Sequence, residues 1–395
     1  MQLERKELLG FDPERLEQLG GALTAAEIGQ QPSVWPRIEA LLVQQQEAIH
    51  AFLGPLLASP GLRIVLAGAG TSAFIGECLL PALLRQGHRA EAVPTTDLVS
   101  GPERFLQPHT PTLLVSFARS GSSPESVAAV ALADRLVERI HHLVITCNAD
   151  GQLYLAARGR ANALAILLPD ATHDRGFAMT TSFTSMVLAA ALAFRIVPPA
   201  RVDMLAAAAA QVGHRALPLL SALVACGFKR VVYLGSNELC GLAREAALKL
   251  LELTDGQVVA MFDSPLGFRH GPKTIVDDAT LVVVLLSNDP HARRYDLDLL
   301  QELRADGRAG RVLALDAAWP PADSADSFVF EGVSGVGDLE LALPYIVFCQ
   351  SFAFLQSLGL GLRPDTPSRS GTVNRVVRGV TIYPFESEGS HVPGN

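Results

Sequence analysis

The stretch LRIVLAGAGTSA, residues 62–73, contains the pattern that predicts how this chain folds. An almost wholly apolar run with β-branched residues comes first, as in a buried parallel strand. Glycines follow it, and a segment with helical spacing begins beside them. A strand, a glycine turn and a helix in this order predict one βα unit.

The same alternation continues on the C-terminal side of this unit. Apolar runs at 112–117 and 143–148 predict two more buried strands, and the segments 72–86 and 124–139 have helical spacing. Strands that alternate with helices are typical of βαβ units around a parallel sheet. The first half of the chain therefore predicts a doubly wound α/β domain.

The second half repeats this pattern. RVVYLG at 230–235 resembles RIVLAG 167 residues earlier, and TLVV from Thr280 resembles TLLV from Thr112 at a separation of 168 residues. Strand patterns that recur at nearly one separation indicate a duplicated domain. We predict two tandem flavodoxin-like domains with parallel sheets. The predicted segments are a helical lead-in (1–45), a first domain (46–200), a second domain (201–362) and an irregular tail (363–395).

Composition narrows the class of protein. The 395 residues are 49% hydrophobic and carry a formal net charge of −8, which argues against nucleic-acid binding. The first ten residues lack the apolar core of a signal peptide, and the apolar run 186–194 is too short to span a bilayer. Five scattered cysteines and the absence of HxH or HExxH spacing indicate reduced thiols and no metal site. We expect a cytoplasmic protein without a membrane partner or a cofactor.

The glycine turn GAGTSA, residues 68–73, is a candidate phosphate site. It follows a strand and opens a helix, where outward N–H groups and the helix dipole favour an anion. The turn also fits the GxGxxG/A fingerprint of dinucleotide-binding proteins. That alternative needs an acidic residue at the end of the second strand, and Glu91 falls within the strand. Phosphate binding is therefore the favoured interpretation.

A second candidate loop is SFARSGSSPES, residues 116–126. Ser123, Pro124 and Glu125 have the pattern of a capped helix start, so capping is one interpretation. Capping leaves Arg119, Ser120 and Ser122 unexplained. Several hydroxyls at the carboxyl end of a strand favour a cradle for a phosphate monoester, because ligands bind at that edge of open α/β sheets. A third polar cluster, at 173–185, supplies another hydroxyl or caps a helix.

The candidate residues for acid–base catalysis lie in the second half of the chain. Glu245, Lys249 and Glu252 share one stripe of a predicted helix, which is either a solvated face with weak ion pairs or part of a site. His270 stands before a Gly-Pro turn with basic neighbours. A lone histidine is more often structural, but this setting on a loop makes it a catalytic candidate.

The motifs GAGTS, SFARSGSSPES, EAALKLLE and FRHGP, in this order, resemble the sugar isomerase (SIS) domain family in tandem copies. The resemblance runs from about residue 40 to SGTVNRVVRGVTIYP, and it is strongest to the tagatose-6-phosphate ketose/aldose isomerase-like proteins, also described as galactosamine-6-phosphate deaminases. It implies an enzyme that converts galactosamine 6-phosphate to tagatose 6-phosphate and ammonia by proton transfer from C2 to C1. A simple ketose/aldose isomerase and a phosphosugar-binding sensor remain alternatives.

Similarity to glucosamine-6-phosphate synthase implies roles for single residues. Glu252 matches the proton-shuttling glutamate, Lys249 a helix lysine, and His270 a ring-opening histidine that a neighbouring subunit contributes, which implies at least a homodimer. Arg378 matches the synthase's Schiff-base lysine, yet arginine cannot become that nucleophile; it either closes over the sugar or lies exposed on the tail. The matching substrate-binding residues are Gly70, Thr71, Ser72, Arg119 (a glutamine in the synthase), Ser120, Ser122, Ser123 and Thr180.

Two further departures from the synthase make amide transfer an unexpected reaction for this chain. No glutaminase-like segment precedes the first domain, and Gly267 replaces a glutamate of the synthase motif.

Overall fold

The computed structural model describes residues 7–318, 326–371, 373–375 and 379–386. The strands are β1 (Arg63–Ala67), β2 (Arg89–Ala92), β3 (Thr112–Ala118), β4 (Ile140–Thr146), β5 (Ala163–Leu167), β6 (Arg230–Gly235), β7 (Val259–Asp263), β8 (Thr280–Leu285), β9 (Arg311–Asp316) and β10 (Ser327–Val329). The helices are α1 (Pro13–Leu19), α2 (Ala22–Gln44), α3 (Gln46–Leu57), α4 (Thr71–Arg85), α5 (Thr95–Ser100), α6 (Pro102–Phe105), α7 (Pro124–Leu136), α8 (Gln152–Ala157), α9 (Thr181–Ala193), α10 (Val202–Ala210), α11 (Leu217–Ala225), α12 (Glu238–Leu253), α13 (Pro265–Phe268), α14 (Pro290–Asp306) and α15 (Asp338–Gly359).

Two five-stranded parallel sheets form the framework. Their strand orders are β2-β1-β3-β4-β5 and β7-β6-β8-β9-β10, so both sheets follow one topology. The register is repeated as well, because Arg63 of β1 lies opposite Thr112 of β3, and Arg230 of β6 lies opposite Thr280 of β8. The prediction of tandem doubly wound domains is confirmed.

The central strands are buried because helices cover both faces of each sheet. Every residue of β1 is buried, including Arg63, whose guanidinium donates to the carboxylate of Glu91 at 2.9 and 2.7 Å. Glu91 lies inside β2, as the sequence predicted, and its carboxylate is occupied by this ion pair. This ion pair argues against the ribose contact that the dinucleotide interpretation requires.

The helical lead-in contributes to the shared core. Helix α2 packs against α9 of the first half and α10 of the second half. Trp35 of α2 is fully buried, and its indole N–H donates to the hydroxyl of Thr184 at 3.2 Å. The N-terminal segment therefore helps to hold both halves together.

Helices α4 and α12, which follow the first strand of each half, pack against each other in opposite directions. Arg85, at the end of α4, pairs with Glu238 at the start of α12. Midway, a Cβ on Gly241 would lie 2.8 Å from the backbone nitrogen of Cys78, so this crossing requires glycine. The antiparallel packing brings the beginning of α4 next to the C-terminal half of α12.

Helix α15 is the longest apolar element of the second half. Its length and hydropathy would suffice to cross a bilayer, but 94% of its most apolar window is buried inside the protein. It packs against α10, α11 and α12. Helix α15 is therefore a core helix of this fold.

The C-terminal tail lacks helix and strand throughout its described part, as predicted. It nevertheless makes specific contacts. The carboxylate of Asp365 accepts hydrogen bonds from the backbone and hydroxyl of Thr24 at 2.8 and 2.7 Å, and the carbonyl of Phe385 accepts one from Arg135 at 2.6 Å. The tail thus runs from the lead-in helix α2 to helix α7 of the first domain.

Candidate active site

The glycine turn after β1 forms one wall of the candidate site. Gly70 has φ +55° and ψ −129°, a conformation that side chains disfavour. A Cβ on Gly68 would lie 2.4 Å from the carbonyl group of Ser72, so both glycines are needed where the strand turns into α4. Thr71 and Ser72 at the start of α4 are almost fully buried.

The serine loop after β3 lies at the same edge of the sheet, and Ser120, Ser122 and Ser123 are all half-buried. Ser123 occupies the cap position of α7, but its hydroxyl donates to Ser126 at 2.7 Å and makes no capping bond. The hydroxyl of Ser122 instead accepts from the backbone N–H of Gln152 at 3.1 Å. Capping of α7 therefore does not account for this serine-rich stretch.

Arg119 is the most unusual group in the loop. It is only 7% exposed, and one of its terminal nitrogens donates to the carbonyl of Arg375 at 2.8 Å. The other terminal nitrogen is buried and has no hydrogen-bond partner among the described residues. Burial, and then the charge of Arg375, lower the pKa of Arg119. A buried guanidinium with an unused donor indicates a place for an anion or for several hydroxyl acceptors.

Thr180 lies beneath these loops rather than at their surface. It is fully buried, and its hydroxyl donates to the carboxylate of Asp174 at 3.3 Å. The same carboxylate accepts from the backbone N–H groups of Thr180, Thr181 and Ser182 at 2.8–3.1 Å. Within the cluster 173–185, Asp174 therefore caps α9, whereas the hydroxyl of Thr180 makes no capping bond and is bound to that carboxylate. Sequence reasoning did not select Asp174, because it caps α9 from six residues away.

Two residues that the sequence did not identify shape this wall. Glu27 of α2 accepts from the backbone N–H of Gly176 at 3.0 Å, and burial, with Asp174, raises its pKa to about 7. His173 is half-buried, and burial followed by the charges of Arg375 and Arg119 lowers its pKa. Helix α2 thus holds the loop that places the imidazole of His173 near the guanidinium groups of Arg375 and Arg119. In the sequence, His173 is indicated by its position at the start of the polar cluster 173–185.

The stripe on α12 forms the opposite wall. Glu245 and Lys249 are fully buried, whereas the side chain of Glu252 is 27% exposed. The ammonium of Lys249 pairs with Glu252 and lies 3.6 Å from the nearer oxygen of Glu245. The solvated-face interpretation of this stripe is therefore wrong, because α4 and α15 cover it.

Burial and mutual charge shift the pKa values of Glu245 and Lys249. Burial raises the pKa of Glu245 from its ordinary value of 4.5 to about 8, although Lys249 opposes the rise. Burial by itself would lower the pKa of Lys249, but the acidic side chains of Glu245 and Glu252 more than offset this effect and raise it. Near neutral pH, Glu245 is thus mostly protonated while Lys249 is charged and faces Glu252. Glu252 is the member of this trio that reaches solvent.

The fold brings the two walls together. The charge of Glu252 opposes the lowering of the Arg119 pKa, and the charge of Arg119 opposes the rise of the Lys249 pKa. These three groups are therefore electrostatic neighbours. Thr71 lies beside Glu245 and lowers its pKa. The arrangement combines buried donors for an anion with a lysine-paired carboxylate that can accept a proton. Within the described ranges, no group of three His, Cys, Asp or Glu side chains could hold a metal ion.

His270 stands apart from this cluster. It lies after α13 with an exposed side chain, and its backbone N–H donates to the carbonyl of Gly267 at 2.9 Å. A Cβ on Gly267 would lie 2.5 Å from a carboxylate oxygen of Asp263, which explains why glycine suits this position. Arg378, the predicted tail residue, lies outside the described residues.

Comparisons with known proteins show what this chain is similar to. The family model described as "SIS domain" matches residues 56–196. A D-galactosamine-6-phosphate deaminase AgaS from Escherichia coli is 48% identical over 377 residues, covering 93% of this chain and 97% of that protein. The structure of a tagatose-6-phosphate ketose/aldose isomerase from Escherichia coli is 44% identical with a TM-score of 0.84, covering 93% of this chain and 98% of the other. A solved chain from Clostridium novyi NT is 40% identical with a TM-score of 0.92, covering 96% and 100%.

These matches define first a class, that of proteins built on SIS domains. More narrowly, the chain belongs to the family that contains these D-galactosamine-6-phosphate deaminases. The resemblance predicted from the loop and helix motifs is confirmed.

Proposed function

We propose that the protein is a sugar-phosphate deaminase and isomerase that converts D-galactosamine 6-phosphate and water to tagatose 6-phosphate and ammonia. The observation that carries this proposal is the buried terminal nitrogen of Arg119 that has no hydrogen-bond partner among the described residues, in the serine loop beside the Lys249–Glu252 pair. The substrate is taken from the relatives, which are a D-galactosamine-6-phosphate deaminase and a tagatose-6-phosphate ketose/aldose isomerase. The chemistry follows from the side chains.

The phosphate and hydroxyls of the sugar bind at the two loops of the first domain. The residues proposed to contact them are Gly70, Thr71, Ser72, Arg119, Ser120, Ser122 and Ser123. Thr180 is the exception in the predicted set, since its hydroxyl is committed to Asp174, and we propose for it a supporting role at the start of α9. The tail residue Arg375 closes this side of the site, because it donates to the carbonyl of Asp174 and accepts from Arg119.

Glu252 performs the proton transfer. In the open-chain sugar its carboxylate removes the proton from C2, and the C1 carbonyl oxygen takes a proton from water, which gives an enolamine with a C1–C2 double bond; the hydroxide left behind takes a proton from the nitrogen when the imine forms. The carboxylic acid then returns the proton to C1, the double bond shifts to C2–N, and C2 becomes an imine. Water adds to that imine carbon, and ammonia leaves with formation of the C2 ketone. Proton transfer by a positioned carboxylate accelerates such steps ~10²–10⁴-fold.

Lys249 and Glu245 set the charge around this base. The ammonium of Lys249 is buried and permanently charged, so it stabilises the negative charge that develops on the oxygen at C1. Protonated Glu245 adds no second negative charge behind it. The net charge of the three side chains is therefore zero, because Lys249 and Glu252 form an ion pair and Glu245 is a neutral carboxyl. This arrangement costs less in a buried site than two carboxylates around one ammonium group.

His270 is proposed to assist ring opening in a neighbouring subunit. Its exposed position on a loop, away from the Lys249–Glu252 pair, supports a role across a dimer interface. The test is to mix two inactive variants, Glu252→Gln and His270→Asn. If sites are shared, randomly paired dimers regain about a quarter of the wild-type activity, since half of the dimers each have one intact site. No recovery after verified subunit exchange would contradict the shared site.

The substrate proposal is tested by incubating the protein with galactosamine 6-phosphate and, separately, with glucosamine 6-phosphate while ammonia and ketose phosphate are measured together. Equal amounts of both products from the galacto sugar support the proposal. Turnover of tagatose 6-phosphate without ammonia release from either amino sugar would make the protein a simple isomerase. Tight binding without any turnover would favour a sensor. A cytoplasmic location, expected from composition, stays a prediction.

A further inference from the structure

A second cavity lies at the edge of the second sheet. It has a volume of about 610 Å³ and sits where the chain leaves β6 and β8, far along α12 from the Lys249–Glu252 pair. Its polar lining consists of Arg85, Asn237, Glu238, Asn288, Asp289 and Asp338. This edge corresponds to the one that holds the glycine and serine loops in the first sheet.

The backbone at this cavity repeats the glycine turn of the candidate active site. Asn237 has φ +50° and ψ −120°, close to the +55° and −129° of Gly70, which lies 167 residues earlier. Two backbone hydrogen bonds, each to the carbonyl three residues back, close both turns, at 3.1 and 2.9 Å after β1 and at 2.9 and 3.0 Å after β6. An asparagine in this conformation is strained, and such strain persists only where the surroundings enforce it.

The internal symmetry also exchanges the helices that complete each cavity. The 167-residue separation pairs Thr71 with Glu238 and Arg85 with Glu252. In the candidate active site, the stripe of α12 that carries Glu252 also places Glu245 beside Thr71, the first residue of α4. In the second cavity, α4 presents Arg85 to Glu238, the first residue of α12, and the two side chains form an ion pair. The second cavity is thus the symmetry counterpart of the active site, with Arg85 in the place of Glu252 and Glu238 in the place of Thr71.

The charges of this cavity select its ligand. Glu238, Asp289 and Asp338 line it against one guanidinium, which gives a formal charge of −2 and disfavours a phosphate. Glu238 is 1% exposed; one of its oxygens binds Arg85, and the other is buried without a hydrogen-bond partner in the described part of the chain. A buried carboxylate oxygen without a donor is costly, so a cationic donor from a ligand would be stabilised here.

We propose that this cavity binds the primary ammonium group of a small polyol, that is, an amino sugar without a phosphate. The ammonium group donates to the free oxygen of Glu238, and the sugar hydroxyls fill the remaining volume. The site does not catalyse proton transfer, because the counterpart of Glu252 is an arginine, which cannot act as a base near neutral pH. The proposal stands independently of the substrate of the active site.

The test is isothermal titration calorimetry with D-galactosamine as the probe and D-galactose as the ligand without an amine. Wild type and a control variant, Glu47→Gln on the exposed surface of α3, should bind the amine alike. Glu238→Gln should bind it at least ~10-fold more weakly, because a charge-assisted hydrogen bond is lost. D-galactose should bind none of the three proteins.

Several outcomes would overturn the proposal: no heat with wild type, equal affinity in Glu238→Gln, or equal affinity for D-galactose. Thermal unfolding and the rate of ketose formation of Glu238→Gln, both expected to match wild type, exclude a folding defect. If Glu238→Gln does not fold, the same titration with the Arg85→Gln variant tests the proposal. Removal of the competing guanidinium should strengthen amine binding at least ~3-fold, and unchanged or weaker binding would refute the assignment.

Discussion

Replacing Glu245 with glutamine should make the stability of the protein less sensitive to pH between pH 5 and pH 8. In the folded protein burial raises the pKa of this carboxyl to about 8, whereas an unfolded glutamate titrates near its ordinary value of 4.5. Within this window the folded state holds the proton more tightly, so the free energy of unfolding falls as the pH rises. Glutamine keeps the shape of the side chain and cannot titrate.

The size of the effect follows from these two pKa values. Each pH unit between them costs the wild type ~1.4 kcal/mol, so between pH 5 and pH 8 it should lose ~3 kcal/mol of stability that the variant does not lose. Full burial of Glu245 leaves no solvent screening to reduce this figure. Lys249 contributes no slope, because its pKa lies above its ordinary 10.5 and it stays charged throughout the window.

The assay is urea-induced unfolding of both proteins at pH 5, 6, 7 and 8, followed by circular dichroism. Other buried acids, such as Glu27 with a pKa of about 7, titrate in both proteins and cancel in the difference. The difference in unfolding free energy should move in favour of the variant as the pH rises. A Glu47→Gln control should show no such trend. A flat difference for Glu245→Gln, or one with the opposite slope, would show that the carboxyl is ionised in the folded protein.

Further predictions concern the substrate loops and the helix crossing. Arg119→Lys keeps the charge but loses the forked donor, so KM for the sugar phosphate should rise ~10-fold with less change in kcat; an unchanged KM would contradict the anion site. Truncation after Gly371 removes the tail contact to Arg119 and should lower kcat/KM ~10-fold with little change in Tm, so unchanged kinetics would exclude closure by the tail. Gly241→Ala should cost ~1–3 kcal/mol in urea unfolding, because α4 and α12 cannot separate freely. A matched Gly213→Ala, with open space around it, should be neutral or slightly stabilising.

The fold could be predicted from sequence because its signals are local. Apolar strand runs, glycine turns and helical spacing recur at nearly constant separation in the two halves. The serine loop was also predictable, since Arg119 and the serines around it exceed what a helix cap needs. These features depend on neighbours along the chain, and short-range chemistry fixes them.

The remaining features depend on contacts between distant segments. The stripe of Glu245 and Lys249 has the same spacing whether it faces water or protein, and only the packing of α4 and α15 decides between them. The commitment of Thr180 to Asp174 depends on how the chain reverses after β5. The contacts of Arg375 with Arg119 and Asp174 could not be predicted from the sequence, because the tail has no periodicity that indicates a helix or a strand.

The path of the tail has a consequence for how the enzyme is made in the cell. Residues near position 375 complete the wall beside Arg119, and they are synthesised after both sheets and helix α15. Domains fold from the N-terminus as they emerge during synthesis, so both sheets can form while the tail is still inside the exit tunnel. The nascent chain would then be folded before the wall beside Arg119 is complete, and the contact between Arg119 and Arg375 would form only once the tail has emerged.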